Sequence, residues 1–215
     1  RCQRFDFRNI PTSQIAEHLA SVVKQEELSA EHELVFAIAK IANGSMRDGL
    51  SLLDRVMASG QKHLTVKLLE ELLGLPDREV LSSLLESLAS GDAAGVHAQG
   101  DALLTRGASV EQAIESLLLR LRDLMVMAAC GPTTRLVELT DDNRKAEAAR
   151  AAKFDAAGLS HMIVLCENVQ RSTKTSTMPR VLFDALLVRL AMTEKFAEIT
   201  ALVSGRATAG VPAAK

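Results

Sequence analysis

The feature that most constrains the fold is the helical spacing of apolar residues from Pro11 to about position 192, interrupted at short intervals by capping residues, glycines and prolines. Ile15, Leu19, Val22 and Val23 form the first of these apolar stripes, which is the pattern of a helix that buries one face. The chain has no Trp or Tyr, so Leu, Ala, Val and Met must fill its interior, and this mixture favours helix over strand. We therefore predict an all-α chain.

The stop and start signals divide this pattern into two helical series. Four helices are predicted between Pro11 and Gly74, and together they would form a small bundle. The expected caps of the second, third and fourth of these helices are Ser29, Ser45 and Thr65, and the second should end at Asn43-Gly44. After Leu75-Pro76-Asp77, further helices are expected near 78–90, 93–106, 109–130, 141–153, 155–172 and from Pro179 onward.

The ends of the chain differ from this helical pattern. The first ten residues alternate apolar and polar side chains, which predicts a short strand from a domain upstream, and the absence of an initial Met suggests a fragment. We predict that residues 1–10 are the tail end of that missing domain and that a first helical domain covers 11–75. A second helical domain would cover 76–200, and 201–215 is expected to be a disordered linker.

Composition and motif searches exclude several function classes. The net charge of -2 and pI near 6.3 argue against direct nucleic-acid binding, which usually needs a basic surplus. Cys2, Cys130 and Cys166 have no metal-ligand spacing and are expected to be reduced thiols of a cytoplasmic protein, and no metal site is predicted. No phosphate-binding loop or nucleophile motif occurs, so this chain should not catalyse a reaction unaided. The longest apolar stretch contains charged residues, which excludes a membrane span.

The most informative segment is N-G-S-M-R-D-G-L-S-L-L-D at positions 43–54. Gly44 favours the left-handed conformation that ends one helix, and the next helix begins almost at once. Arg47 then lies in a first helical turn, where a cation opposes the helix dipole unless an anion is near. A phosphate presented to this helix end would make the position favourable. The alternative is a surface arginine balanced by Asp48 or Glu27.

G-S-M-R-D followed by L-S-L-L-D resembles the sensor-2 motif of the bacterial DNA polymerase III gamma/tau family, which are clamp-loader ATPases of the AAA+ class. The resemblance implies that Arg47 reaches the γ-phosphate side of ATP bound in the same subunit and that Met46 lies against the nucleotide. Arg1-Cys2 resembles the end of the family's Ser-Arg-Cys motif, which makes Arg1 the arginine finger that acts on ATP in the neighbouring subunit. Gly49 stands where the family often has Ala.

Two further segments carry the resemblance along the chain. L-L-G-L at 72–75 is similar to the family's lid-to-collar junction, and M-P-R-V-L-F-D-A-L-L-V-R-L-A at 178–191 is similar to its closing collar helix. The resemblance implies a small AAA+ lid bundle followed by a helical clamp-loader collar. Because the nucleotide-binding domain is absent, ATP with Mg is expected for the full-length protein and no cofactor for this fragment.

The same resemblance implies a role in DNA replication. The full-length protein would be an ATPase subunit of the DNA polymerase III holoenzyme that couples ATP binding and hydrolysis to loading of the sliding clamp on primed DNA. Its expected partners through the collar are other gamma/tau copies and the delta and delta-prime subunits. The clamp and primed DNA would be contacted through the full complex, with no membrane partner.

Two other interpretations stay open at the level of sequence. The chain could come from a delta-prime subunit or a related AAA+ protein, although the intact G-S-M-R-D next to Arg1-Cys2 favours gamma/tau. It could also be a helical scaffold without any ATPase connection. That scaffold predicts that replacing Arg47 with alanine leaves nucleotide-dependent activity of the full-length protein unchanged.

Overall fold

A computed structural model describes residues 8–193, apart from the side chain of Asp142, and its regular secondary structure is almost entirely helical. The all-α prediction is confirmed, with one very short pair of strands that the sequence did not indicate. The elements are α1 (Thr12–Gln25), β1 (Ser29–Ala30), α2 (His32–Ile41), α3 (Met46–Met57), β2 (His63–Leu64), α4 (Val66–Leu73), α5 (Arg78–Ala89), α6 (Ala93–Thr105), α7 (Val110–Cys130), α8 (Asp141–Ala151), α9 (Ala156–Thr173) and α10 (Pro179–Ala191).

Contacts between residues separate the chain into two compact units. The first contains the chain up to Leu75 together with Glu138–Thr140, and the second contains Pro76–Val137 and the chain from Asp141 onward. Each unit has its own apolar interior. The described part does not include residues 1–7, which contain most of the predicted strand. It also does not include residues 194–215, which contain the whole predicted linker at 201–215.

Helices α1 to α4 enclose the core of the first unit. Its largest fully buried side chains are Ile15, Leu19, Leu34, Ile38, Leu53, Leu64 and Leu69. Two predicted caps are confirmed, because the hydroxyls of Ser45 and Thr65 accept hydrogen bonds from the N–H groups of Asp48 and Leu68, both at 3.3 Å. Gly74 ends α4 in the left-handed conformation, with φ 63°.

The predicted start of the second helix is wrong. Ser29 does not cap it, because Ser29 and Ala30 form a strand that pairs in parallel with His63 and Leu64. The Ser29 hydroxyl lies 2.9 Å from Nδ1 of His63 instead of at a helix end. Helix α2 begins at His32 after Glu31, whose carboxylate accepts a hydrogen bond from the Val66 N–H at 2.9 Å. A pairing across more than thirty residues therefore overrides the local capping signal.

The second unit consists of α5 to α10, with the 21-residue α7 packed mainly on α9. Its helix starts are well capped: Asp77, Asp92 and Asp155 each accept backbone hydrogen bonds, and Ser109 forms a reciprocal capping box with Gln112. Predicted helix ends at the glycines 91, 107 and 131 agree with the structure, where all three have positive φ.

Helix α8 is held to the second unit by charged side chains. Two arginines, Arg120 of α7 and Arg150 of α8, both donate to the same carboxylate oxygen of Glu147 at 2.5 Å. Glu147 is only 7% exposed. Arg150 also pairs with Glu86 of α5 at 3.0 Å, and Lys153 reaches the second oxygen of Glu86 at 2.5 Å. The network thus joins α5, α7 and α8.

A second arginine of α8 fixes the loop before it. The guanidinium of Arg144 donates to the backbone carbonyls of Pro132, Thr134 and Val137 at 3.3, 2.8 and 2.9 Å. Val137 is fully buried. The side chain of one helix residue therefore shapes most of the loop that precedes its helix.

Two of the three cysteines lie in the described part as free thiols. Cys130 is exposed, whereas Cys166 is buried, and burial raises the pKa of the Cys166 thiol to about 12. That thiol is therefore protonated and unreactive near neutral pH. Over residues 8–193, no group of three or more His, Cys, Asp or Glu side chains is placed to hold a metal ion. None of the helices in that range is long and apolar enough to cross a membrane.

Candidate functional site: the sensor turn and helix α3

The candidate site is built on the turn between α2 and α3, residues 42–45, which we call the sensor turn. Asn43 and Gly44 have φ of 46° and 87°, so two consecutive residues are left-handed. Ser45 returns to an extended conformation and caps α3. The Ser45 N–H bonds the Ala42 carbonyl at 2.9 Å, which closes the turn. Helix α3 therefore begins directly after α2 in a fixed direction.

Residues 8–11, which we call the leading segment, pack directly on the sensor turn. The Ile10 N–H donates to the Gly44 carbonyl at 3.1 Å. A Cβ atom at Gly44 would lie 2.5 Å from the Cβ and 2.8 Å from the Cγ of Asn9, far inside contact distance. Both the positive φ and this close approach require glycine at position 44.

Helix α3 is anchored by its apolar face and by a second glycine. Leu53 and Val56 are buried in the first unit's core. Gly49 is buried as well, and a Cβ there would lie 3.2 Å from Cγ2 of Ile15 in α1. The absence of a side chain at Gly49 lets α3 approach α1 closely, and this holds the first turn of α3 in place.

Arg47 lies in that first turn with an exposed side chain. Neither Asp48 nor Glu27 forms an ion pair with it, and within residues 8–193 its guanidinium has no salt-bridge or hydrogen-bond partner. Arg47 is thus an exposed arginine without a direct ion pair to Asp48 or Glu27, and the choice between a phosphate partner and a surface arginine balanced by these acids stays a prediction. A cation next to the unpaired N–H groups of a helix start is unfavourable by about 0.3–1 kcal/mol, and an anion at this place would reverse that cost.

The other two predicted site residues are placed less directly. Met46 begins α3 and is half-buried, and part of its side chain packs on the core of the first unit. Arg1 lies outside the described residues. The structure thus brings Met46 and Arg47 together at one helix start and leaves the position of Arg1 open to experiment.

Sequence analysis predicted the left-handed conformation of Gly44 but missed its contact with Asn9. The Asn-Gly pair at 43–44 indicated a left-handed helix end, and that is confirmed. No local pattern indicated that Asn9, more than thirty residues earlier, covers Gly44. Only the tertiary structure reveals this contact.

Two family models together match nearly the whole described chain. Residues 14–62 match a model described as "DNA polymerase III clamp loader subunit, ATPase lid domain". Residues 64–204 match "DNA polymerase III subunits gamma and tau domain III". The sensor turn and α3 fall within the first match, and α5 to α10 fall within the second.

Individual proteins are similar to the chain as well. The chain is 27% identical over 194 residues to DNA polymerase III subunit tau of Bacillus subtilis, covering 90% of this chain and 34% of that protein. It is 35% identical over 92 residues to subunit tau/gamma of Haemophilus influenzae, covering 43% of this chain and 13% of that protein. Protein STICHEL of Arabidopsis thaliana is 27% identical over 190 residues, covering 88% of this chain and 15% of that protein. The chain thus spans about a third or less of the length of these relatives.

Proposed function

Since this chain belongs to the family of DNA polymerase III gamma and tau subunits, we propose that it supplies the lid and the collar of a clamp-loader ATPase that acts in DNA replication. Residues 11–75 are assigned to the lid and 76–200 to the collar, between the tail end of an ATPase domain at 1–10 and a linker at 201–215. In the whole protein, ATP binding and hydrolysis would drive loading of the sliding clamp on primed DNA in the cytoplasm. The domain III match favours gamma/tau over the delta-prime alternative.

The observation that carries the nucleotide part of this proposal is the exposed Arg47 guanidinium at the start of α3, which has no hydrogen-bond or salt-bridge partner among residues 8–193. The N–H groups of the first turn add positive potential, although Asp48 in the same turn adds a negative charge, and this potential supports an anion near Arg47. The anion we assign is the γ-phosphate of ATP with its Mg²⁺, held by the ATPase domain of the same subunit. Met46 would present the exposed part of its side chain to the nucleotide. Arg1 would act as arginine finger on ATP in the neighbouring subunit.

The test is Arg47→Ala in the full-length protein assembled with the other loader subunits. We expect ATP turnover to fall by about 10²-fold or more, because a charge that stabilises a transferring phosphoryl group is removed. Arg55→Ala is the matched control, since Arg55 is an exposed arginine in the last turn of the same helix. Equal turnover in the Arg47 and Arg55 variants would refute the nucleotide role and favour a plain helical scaffold.

The collar part of the proposal rests on an exposed apolar stripe along α10. The stripe consists of Met178, Val181, Ala185, Val188 and Met192, spaced alternately by three and four residues, and all five are exposed. The opposite face of α10 packs into the second unit through Phe183, Leu186, Leu187 and Leu190. Spacing of three and four is the pattern by which one helix packs along another.

We assign this stripe to another copy of the same collar. Asp184, which also pairs with Arg180 of the same helix at 3.0 Å, and Arg189 flank it five residues apart, with opposite charges. In a parallel pair of helices, an acidic residue at the first of these positions can form a salt bridge with a basic residue at the second position of the other helix. The delta and delta-prime subunits would occupy the remaining collar positions of the complex.

Light scattering of the 215-residue chain over a concentration series tests the collar assignment. We expect growth beyond the monomer mass in the tens of micromolar and its loss in Val181→Glu, because the substitution would bury a charge in the contact. Ser160→Glu, which adds the same charge at an exposed position of α9, should leave the association unchanged. A monomer at every concentration would show that the stripe does not bind a second copy by itself.

A further inference from the structure

We propose that Asn9 is a positioning residue for Arg47. Asn9 belongs to the leading segment, and its side chain packs against Gly44, which precedes Arg47 by three residues. Through this contact Asn9 would fix the first turn of α3, and with it the place at which Arg47 is presented to a phosphate. The inference rests on the proposed function of Arg47 and adds a second residue on which that function depends.

The position of Arg47 depends on its backbone. Within residues 8–193 its guanidinium has no hydrogen-bond or salt-bridge partner, so no other side chain in that range orients it before an anion arrives. A group that acts on a transferring phosphoryl group must be held close to its productive position, because a misplacement of about 1 Å can lower a rate by about 100-fold. The contacts that fix the start of α3 therefore decide how well Arg47 can act.

The first turn of α3 follows directly from the position of Gly44. The sensor turn closes through the bond from the Ser45 N–H to the Ala42 carbonyl at 2.9 Å. The Ser45 hydroxyl then accepts the Asp48 N–H at 3.3 Å. Arg47 lies inside the short loop that this second bond closes, so a displacement of Gly44 also displaces Arg47.

The backbone of the leading segment is anchored without help from the Asn9 side chain. The Ile10 N–H donates to the Gly44 carbonyl at 3.1 Å, and the Ile10 side chain packs against the core of the first unit. The Pro11 carbonyl accepts the Ile15 N–H at 3.1 Å. A substitution of the Asn9 side chain therefore leaves these anchoring bonds in place.

The Asn9 side chain lies directly against the sensor turn. A Cβ built at Gly44 would lie 2.5 Å from the Cβ, 2.8 Å from the Cγ and 3.1 Å from the Cα of Asn9. Asn9 is otherwise exposed, and in the part of the chain that the structure describes its carboxamide makes no hydrogen bond. Its Cβ and Cγ thus act as a steric stop that resists a shift of Gly44 toward the leading segment.

The test is a double-mutant cycle between Asn9→Gly and Arg47→Ala in the full-length protein, assembled with the other loader subunits. ATP turnover at saturating ATP gives kcat. We expect Asn9→Gly alone to lower kcat about two- to fivefold and to cause no further loss in the Arg47→Ala background, because Asn9 acts through that arginine. A general loss of folded protein would instead lower kcat equally in both backgrounds. Equal losses would overturn the proposal, and so would a full rate for Asn9→Gly alone.

Asn9→Leu separates packing from the chemistry of the carboxamide. Leucine keeps the Cβ and the branched Cγ that lie against Gly44, but its side chain cannot form hydrogen bonds. We therefore expect a kcat close to that of wild type. A loss as large as that of Asn9→Gly would assign the effect to the carboxamide and overturn the positioning role.

Gly44→Ala perturbs the same contact from the other side, because it inserts a Cβ into Asn9. Gly60→Ala is the matched control, since Gly60 also has a positive φ, 75°, with nothing within 4 Å of a built Cβ. We expect Gly44→Ala to lower kcat about tenfold or more, Gly60→Ala to leave it unchanged, and Asn9→Gly to restore part of the loss by making room. A loss that Asn9→Gly does not relieve would contradict the proposal. Thermal unfolding by circular dichroism shows whether Gly44→Ala folds, and the cycle with Asn9→Gly decides the matter if it does not.

Failure of this inference and failure of the proposed function give different results. If Arg47→Ala keeps full turnover, the proposed function fails. If Arg47→Ala lowers turnover about 10²-fold as expected and Asn9→Gly leaves the rate unchanged, only the positioning role of Asn9 fails.

Discussion

Helix α3 in the first unit and helix α8 in the second are positioned by opposite means. Helix α3 is positioned by close backbone packing at two glycines, which have no side chains. Gly44 lets the leading segment pack on the sensor turn, and Gly49 lets α1 pack closely on α3. Helix α8 is placed by charges, since Glu147 and Ala151 are its buried residues among the side chains described. Its main anchors are the pairs from Glu147 and Arg150 to α7 and α5.

The difference teaches which perturbations each unit tolerates. Close packing between backbones does not depend on pH or salt, but it leaves no room for an added methyl group. A buried ion pair accommodates small shifts, yet it fails when one partner loses its charge, because the other charge is left without compensation. The start of α3 would therefore keep its geometry across solution conditions, whereas α8 of the collar would respond to them.

The largest expected effect comes from removing the centre of the charged network. Glu147→Gln keeps the shape of the side chain but leaves Arg120 and Arg150 facing a neutral group, and burial already lowers the pKa of Arg120. We expect the free energy of unfolding of the second unit to fall by about 3 kcal/mol. Urea unfolding followed by circular dichroism measures it. Glu115→Gln, at an exposed site on α7, is the control, and equal midpoints would show that charge does not anchor α8.

A glycine contact in the second unit should give the next largest effect. A Cβ at Gly100 of α6 would lie 2.3 Å from Cδ1 of Leu187, which is fully buried in α10. We expect Gly100→Ala to cost about 1–2 kcal/mol, because the overpacking exceeds the gain in helix propensity. Leu187→Val removes the clashing methyl group, so a double-mutant cycle should show favourable coupling. If the free-energy costs of Gly100→Ala and Leu187→Val simply add, the strain of Gly100→Ala does not arise from contact with Leu187.

Gly49→Ala in the first unit should be much milder than Gly100→Ala. The added Cβ meets Ile15 at 3.2 Å, a distance that a shift of a few tenths of an ångström relieves. The gain in helix propensity, about 1 kcal/mol, opposes this cost, so the net change should stay within about 0.5 kcal/mol. Hydrogen exchange of α1 and α3 peptides by mass spectrometry measures it. A loss as large as that of Gly100→Ala would show that α3 tolerates less than the distances indicate.

The smallest expected effect is a pH dependence carried by Glu86. Hydrogen bonding from Lys153 and Arg150 lowers the pKa of the Glu86 carboxyl below its ordinary value of 4.5. Its stabilising contribution is complete above that value and is lost as pH falls through the lowered pKa of the folded state. Glu86 is partly exposed, so the loss should be only a few tenths of a kcal/mol.

Urea midpoints of wild type and Glu86→Gln, measured at neutral pH and between pH 3 and 4, check this expectation for Glu86. The two midpoints should differ at neutral pH and converge in acid. A constant gap would assign the interaction to packing instead of charge.

The sequence predicted those parts of the fold that depend on near neighbours. Ser45, Thr65 and Gly74 act within four residues of their own positions, and all three behave as predicted. Ser29 was misassigned because its partner, His63, lies more than thirty residues away. The network around Glu147 was missed for the same reason, since Arg120 and Glu86 are far from it in sequence and the segment reads simply as an Ala-rich helix.

The candidate site shows the same division. The prediction of a phosphate at this site could be made from the residues, because a cation in a first helical turn opposes the helix dipole. The packing that holds the site in place could not be predicted, because nothing in R-N-I-P at 8–11 indicates that Asn9 covers Gly44. The contact was found only because a Cβ atom built at Gly44 would collide with Asn9.

The three carbonyl bonds of Arg144 have a practical consequence for the loop between α7 and α8. Because Arg144 binds the backbone oxygens of Pro132, Thr134 and Val137, these three bonds do not involve the side chains of the loop residues. Arg135 and Leu136 in this loop are exposed. Position 135 is therefore suitable for a fluorescent label, because the exposed Arg135 side chain can be replaced without loss of any of these three bonds.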